Sequence, residues 1–335
     1  MSGALALVVI AAWFAWLGPS GAATLMASQW PIALTMAGGS FVAGVSSMGG
    51  GAVAFPVFTK VLAVPPADAK LFALLIQSLG MTAASITIFA LRVPIDARAL
   101  RWATAGGAAG MAAGLAWLAP LAPAAETRVL FTALQAGFAV VLLLALRRGT
   151  QANSRRESPP NDRLALLAAG LAGGVVSSLV GSGIDLVTFA VMRLRGGVGE
   201  EVATPTSVVL MAINSLVGVS AYALLAGPPP TAVSQMWLAA APVVVVGAPL
   251  GAWVCSRLDR RTIAVTLLGL IAIEVITTLL LVSLTMQVAA LGLTVAITSA
   301  TVCLLMAQRR ETGARRRISA EVEVGASGIP ADCDN

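Results

Sequence analysis

Residues 177–185 have the sequence Ser-Ser-Leu-Val-Gly-Ser-Gly-Ile-Asp, and they interrupt an otherwise apolar stretch, 164–192. A second apolar stretch, 31–59, is interrupted by three consecutive glycines at 49–51. Glycine adopts backbone conformations that end a helix, and non-helical backbone is tolerated inside a membrane only where protein or a cavity covers it. We therefore predict that each stretch is a broken hairpin whose two arms meet inside the membrane.

The composition is that of a membrane protein. Hydrophobic residues make up 58% of the 335 residues, only 11% are charged, and the mean hydropathy is +0.90. Soluble domains are about half apolar and a quarter charged, so a soluble fold is excluded. The chain has no histidine, and its three cysteines lie far apart, which excludes a histidine metal site and a disulfide framework. We expect no cofactor and no metal.

Apolar runs define the membrane helices. Charge-free runs long enough to span a bilayer occupy 71–91, 102–118, 129–146, 202–226 and 231–255. The region 262–307 is twice the needed length, and we divide it at a polar bend, 283–287. The first run, 4–17, lacks the basic residues that precede a signal-peptide core, so we interpret it as a short span or an interfacial helix.

The predicted fold class is all-α: a polytopic transmembrane helix bundle with two inverted repeats, each a broken hairpin followed by three helices. The predicted units are an extra N-terminal helix (1–30), a first repeat (31–146), a cytoplasmic linker (147–163), a second, inverted repeat (164–283), an extra C-terminal helix (284–307) and a disordered cytoplasmic tail (308–335).

The basic residues predict the orientation. With the C-terminal tail in the cytoplasm, all but three of the 21 lysines and arginines lie on that side; Lys60, Lys70 and Arg128 lie outside. The two halves then enter the membrane from opposite sides, and both termini are cytoplasmic. We expect a multi-pass protein of a bacterial inner membrane. The lipid bilayer is therefore an expected partner, and the sequence leaves open whether the chain forms a homo-oligomer. Basic clusters between apolar runs do not predict a nucleic-acid partner.

The breaks predict an anion-binding site. A helix that begins inside hydrocarbon presents backbone N–H groups and the positive end of its dipole, which both favour an anion. Facing discontinuous helices are typical of secondary transporters. The residues expected to bind a small anion are Ser46, Ser47, Gly49, Gly50, Gly51, Gln77, Ser78, Ser178, Gly181, Ser182, Gly183, Ser207 and Asn214.

Each of these features also has a structural interpretation. The glycines could simply allow close helix packing, and the amides of Gln77 and Asn214 could join helices instead of binding a solute. Asp185 and Glu274 are carboxylates deep in apolar sequence, so they are candidates for proton or sodium coupling. Asp185 could instead cap the helix after the second break, and Glu274 could join helices through a hydrogen bond.

Residues 44–51, Gly-Val-Ser-Ser-Met-Gly-Gly-Gly, with Pro56 downstream, resemble the G-x-x-G-x-G-G-G signature of the sulfite exporter TauE/SafE family. Residues 177–185 resemble the repeat of that signature, and residues 203–207 with Asn214-Ser215 are similar to its T-S and N-S pattern. The resemblance covers residues 31–305. It implies a secondary carrier that exports sulfur-containing anions, such as sulfite or organosulfonates, from the bacterial cytoplasm.

The chain departs from the family pattern at four places: Ser47 replaces a glycine, Ile184-Asp185 replaces the second glycine pair, Ala190 stands at the second proline, and Ala69-Lys70 stands at the first T-S pair. Our leading hypothesis is an alternating-access carrier of a small anion, with a proton or sodium ion as the coupling partner. The alternative is an intramembrane enzyme that uses Asp185 or Glu274 as a catalytic carboxylate. An insertion factor would need a long hydrophilic groove or large soluble domains, which the sequence lacks.

Overall fold

The computed structural model describes residues 2–45, 51–147, 158–159, 162–255, 260–282 and 285–305. Within these ranges every regular secondary-structure element is a helix, which confirms the predicted all-α fold class, and eight helices are long and apolar enough to cross a bilayer. The predicted site residues Ser46, Ser47, Gly49 and Gly50 lie outside the described ranges. Most of the predicted linker and the whole predicted tail also lie outside them.

The helices follow the order of the apolar runs. The first is α1 (Ser2–Ser28), which kinks at Gly18. The first half contains α2 (Trp30–Val45), α3 (Gly51–Pro56), α4 (Pro66–Ala90), α5 (Ala97–Ala113) and α6 (Ala124–Arg147). The second half contains α7 (Arg163–Val180), α8 (Ile184–Ala190), α9 (Glu200–Ala226), α10 (Thr231–Cys255) and α11 (Arg260–Leu281), and α12 (Met286–Leu305) follows. Single π-helical turns extend α3 over Val57–Val61, α5 over Gly114–Leu118 and α8 over Val191–Gly196.

Each predicted span corresponds to one of these helices. The long apolar region is divided as expected, since α11 ends at Leu281 and α12 begins at Met286. The N-terminal apolar run 4–17 lies within α1, which continues through the kink to Ser28. A long-range hydrogen bond from Trp13 Nε1 to Leu238 O (2.7 Å) joins α1 to α10.

Helices α5 and α7 pack backbone to backbone and run parallel. A Cβ atom on Gly170 would overlap Ala103 O, and one on Gly174 would overlap Gly107 O. The contacts advance in the same direction along both helices, so α5 and α7 begin at the same end of the pair. Small residues allow this approach, as is common between membrane helices.

The helices that correspond to α7 and α5, namely α2 and α10, form a second parallel pair. A Cβ atom on Gly247 would overlap Ser40 Oγ, and one on Gly251 would overlap Phe41 O. If α2 is matched with α7 and α10 with α5, the two pairs are equivalent, and each joins one helix of the first half to one helix of the second.

The matched helices α4 and α9 contact each other directly and run antiparallel. Leu74, in the first half of α4, lies against Gly218, in the second half of α9. Just after α4 ends, the backbone N–H of Asp96 donates to Thr206 Oγ1, near the start of α9 (2.8 Å). The two halves thus present matched helices to each other in opposite directions. Their relation as an inverted repeat stays a prediction.

Buried aromatic pairs hold the returning arm of each hairpin. Phe58, after α3, packs on Phe72 of α4 with ring centroids 4.7 Å apart. Phe189 of α8 packs on Phe138 of α6 at 5.7 Å. Such pairs contribute about 0.5–1.5 kcal/mol beyond the area they bury.

We predict that Gly174→Ala destabilises the protein by about 1–3 kcal/mol, because the added methyl group forces α7 away from the α5 backbone. The matched control is Gly269→Ala, since a Cβ atom there meets nothing within 4 Å. Thermal unfolding in detergent should show a lower midpoint for Gly174→Ala only. An equal midpoint for the two variants would contradict the close α5–α7 contact.

Candidate functional site

The second break is a short non-helical segment between α7 and α8, as predicted. Gly181 ends α7 in the left-handed conformation (φ 86°), and its N–H donates to Ser177 O (2.8 Å). Gly183 precedes α8 with φ 143°, a conformation largely restricted to glycine. A Cβ atom on Gly181 would lie 2.9 Å from Lys70 O and 2.7 Å from Ala73 Cβ. Glycine is therefore needed at 181 both for the backbone conformation and for the close approach to α4.

The chain's own side chains bind two amides at this break. Asp185 Oδ1 accepts from the backbone N–H of Gly183 (3.0 Å), and Ser177 Oγ accepts from that of Ile184 (3.1 Å). The first contact is the helix-start role considered above for Asp185. Because a carboxylate is itself an anion, a second anion at this break would compete with Asp185 for the Gly183 amide.

Gln77 joins α4 to the break. Its Nε2 donates to Gly181 O (3.0 Å) and to Ala73 O in its own helix (2.9 Å). Its Oε1 is buried and has no hydrogen-bond partner in the described part of the chain. One end of this amide is therefore structural, and the other end is available to a ligand.

Asn214 also reaches the break, but in a different way. Its side chain lies beside Gly107 and Ile184: a Cβ atom on Gly107 would come within 3.3 Å of Asn214 Oδ1 and would overlap Ile184 Cδ1. Asn214 is 3% exposed, and neither polar atom of its amide has a partner among the described residues. In this conformation the Asn214 amide therefore makes no hydrogen bond within the described residues that would join two helices.

Several unsatisfied polar groups lie on the helices around the break. Helix α9 contacts both α4 and α8, and the three helices carry six buried polar atoms without a partner in the described ranges. Leaving a buried polar group without a partner costs about 1–3 kcal/mol each. We call the residues that carry these atoms the break cluster: Gln77, Asp185, Thr188, Asn214 and Ser215. Thr188 was not among the predicted site residues, although its position three residues after Asp185 puts both on one helix face.

The remaining predicted site residues contribute less to a binding site in this conformation. Ser182 is buried within the break, and Gly51 is the first residue of α3. Three serine hydroxyls are engaged as donors to their own helices: Ser78 to Leu75 O (2.8 Å), Ser178 to Val175 O (2.6 Å) and Ser207 to Ala203 O (2.9 Å). These hydroxyls would have to rotate before they could donate to an anion.

Glu274 has a partner that the sequence did not reveal. The side chain of Lys60, counted above only as an external charge, is buried, and its Nζ lies 2.7 Å from Glu274 Oε2, with both side chains at most 4% exposed. Lys60 also donates to Thr278 Oγ1 (2.7 Å), and Thr132 donates to Glu274 Oε1 (2.8 Å). This network joins the returning arm of the first hairpin to α6 and α11. A coupling role for Glu274 stays a prediction, with its charge compensated by Lys60.

A family model described as Sulfite exporter TauE/SafE matches residues 31–278. The match includes both hairpins, the break cluster and the Lys60–Glu274 pair. Comparisons with curated proteins and with solved structures give no significant match.

We predict that Lys60→Met lowers the free energy of unfolding by about 3–5 kcal/mol, because it leaves the Glu274 carboxylate buried without its cation. The double variant Lys60→Met/Glu274→Met should recover most of the loss, since it removes both charges. Denaturant unfolding in detergent micelles measures both. A double variant no more stable than Lys60→Met would contradict a compensating ion pair.

Proposed function

The chain belongs to the sulfite exporter TauE/SafE family, and on that basis we propose that it exports a small sulfur-containing anion, such as sulfite or an organosulfonate, by alternating access. The family comprises membrane transporters, and the eight candidate spans of the described residues fit a multi-pass membrane protein. The alternative of an intramembrane enzyme, with Asp185 or Glu274 as catalytic carboxylate, finds no support in this family. The charge pattern supports a bacterial inner membrane location with both termini in the cytoplasm.

The observation that carries the proposal is the set of unsatisfied polar atoms in the break cluster. Asn214 Nδ2 and the hydroxyls of Thr188 and Ser215 are hydrogen-bond donors, which suit the oxygens of a sulfite or sulfonate group. The amide oxygens of Gln77 and Asn214 can bind a sodium ion, and the Asp185 carboxylate can bind either a proton or a sodium ion. A site with both kinds of atom supports a mechanism in which transport of the anion is coupled to a cation.

The antiparallel contact of α4 and α9 supports alternating access. These matched helices carry Gln77 and Asn214, so the cluster lies where the two halves meet. Rocking of one repeat against the other around a site at their interface is the usual mechanism of carriers with inverted repeats.

Asp185 is the residue we assign to coupling. An ionised carboxylate repels an anion and also binds the Gly183 amide that the anion would use. A proton or a sodium ion on Asp185 removes the repulsion, so the anion binds most favourably when the cation is present. Such mutual dependence of two ligands is what coupled transport requires.

We predict that Asn214→Leu lowers the rate of labelled sulfite transport in proteoliposomes by about tenfold or more, since it removes a donor from the site. Its thermal stability in detergent should be equal or higher, because the amide has no hydrogen-bond partner to lose within the described part of the chain. The matched control is Gln135→Leu, which removes a buried amide of α6 outside the cluster and should keep transport.

Two results would oppose this proposal. If Asn214→Leu transported sulfite normally but unfolded at lower temperature, Asn214 would be a structural amide. If the wild type moved none of sulfite, thiosulfate, sulfoacetate or acetate, the carrier function itself would be wrong.

We also predict that Asp185→Asn abolishes the response of sulfite flux to an imposed pH or sodium gradient, because asparagine neither takes up the proton nor supplies the charge. The variant should still fold, since the asparagine Oδ1 can accept from the Gly183 amide. Asp68→Asn, at the start of α4, is the control and should retain the wild-type response. An unchanged gradient response in Asp185→Asn would rule out this coupling role.

A further inference from the structure

A second polar site lies at the other end of α7 from the break. A cleft of about 410 Å³ opens where α5 and α7 begin, and it is lined by Arg98, Arg101, Trp102, Ala105 and Arg163. The volume falls in the range of ligand pockets. Because α7 has 18 residues, the cleft is separated from the break by about 27 Å along the helix. The cleft is therefore distinct from the proposed transport site.

The cleft combines three guanidinium groups with the starts of two parallel helices. Cations at a helix N-terminus lie at the positive end of its dipole, an unfavourable placement that a bound anion would offset. The carboxylates described at these helix starts have partners of their own. Asp96 caps α5 by accepting from the backbone N–H groups of Arg98 (3.0 Å) and Ala99 (2.9 Å), and it also accepts from the Ser158 hydroxyl (2.6 Å) and backbone N–H (2.8 Å). Asp162 pairs with Arg195 (2.8 Å). Among the described residues, the charged side chains that line the cleft are all arginines.

Trp102 fixes one wall of the cleft. The Arg163 guanidinium lies over its indole ring, with Cζ 5.9 Å from the centroid. This cation–π contact orients a planar group that can bind phosphate through two parallel hydrogen bonds. Tryptophan is also typical of the membrane–water interface, where headgroups lie.

The surface below the arginines is apolar and suits an acyl chain. Ala105, Ala109 and Ala112 are exposed at helical spacing along α5 and form a shallow strip of small side chains. On α7, Leu164 and Leu171 are 76% and 47% exposed on one face beside it. A soluble anion would use the arginines alone, whereas a phospholipid would use both the arginines and this apolar surface.

We propose that this cleft binds the phosphate of an anionic phospholipid, with an acyl chain along the α5 alanines. The orientation predicted from the basic residues puts the cleft at the cytoplasmic leaflet, whose surface is negatively charged. Basic pockets between membrane helices on that side are suited to anionic headgroups. The lipid would hold the starts of α5 and α7 together.

Native mass spectrometry of the purified full chain in detergent tests this proposal. Wild type should retain added phosphatidylglycerol more tightly than phosphatidylcholine, whose choline group adds a positive charge. Arg101→Gln/Arg163→Gln should weaken phosphatidylglycerol binding by about thirtyfold, from two lost charge contacts. Both side chains are exposed, so the variant should fold, and its thermal unfolding without lipid checks this. The control Arg92→Gln/Arg261→Gln removes two exposed charges outside the cleft and should change binding by at most about twofold.

Three results would overturn the proposal. The first is equal phosphatidylglycerol affinity in the wild type and in Arg101→Gln/Arg163→Gln. The second is equal affinity of the wild type for the two lipids. The third is displacement of phosphatidylglycerol by millimolar inorganic phosphate, which would identify a site for a soluble anion. None of these measurements depends on transport activity, so they test the lipid site independently of the proposed function.

Discussion

Backbone N–H and C=O groups inside an apolar bundle have no water to bind, and each must find another partner. The break at Gly181 to Gly183 frees several such groups at once. Gln77 satisfies the carbonyl of Gly181, while Ser177 and Asp185 satisfy the amides of Ile184 and Gly183. The break is therefore stable only because α4 and the ends of the hairpin supply polar side chains at these positions.

Two of the side chains that bind the backbone at the break keep one polar atom each that has no hydrogen-bond partner in the described chain. One oxygen of Asp185 and the oxygen of Gln77 have no partner in the described chain, and the nearby Asn214 amide has none at all. Buried polar atoms of this kind destabilise a fold, so their presence is explained best by a function that requires them. Gln77 therefore has a structural hydrogen bond across the break, whereas the Asn214 amide makes no hydrogen bond within the described residues, and ligand binding by either amide stays a proposal.

Local sequence patterns were sufficient to predict much of the fold. Apolar runs located the helices, the glycines of 181–183 located the break, and the polar bend separated α11 from α12, because each depends on neighbouring residues only. Contacts between distant segments were not predictable in this way. The Lys60–Glu274 pair joins residues 214 positions apart, and the α5–α7 contact depends on glycines that looked like ordinary small residues. Thr188 was missed because a threonine in an apolar helix carries no distinctive signal.

The central claim is that a small oxyanion binds at the 181–183 break, beside Asn214. The most direct measurement is an anomalous difference map from crystals soaked with selenite, the selenium counterpart of sulfite. The account predicts a selenium peak within hydrogen-bond reach of the Asn214 amide and the start of α8. A peak elsewhere among the membrane helices, with none at this break, in a protein shown to transport sulfite, would contradict it.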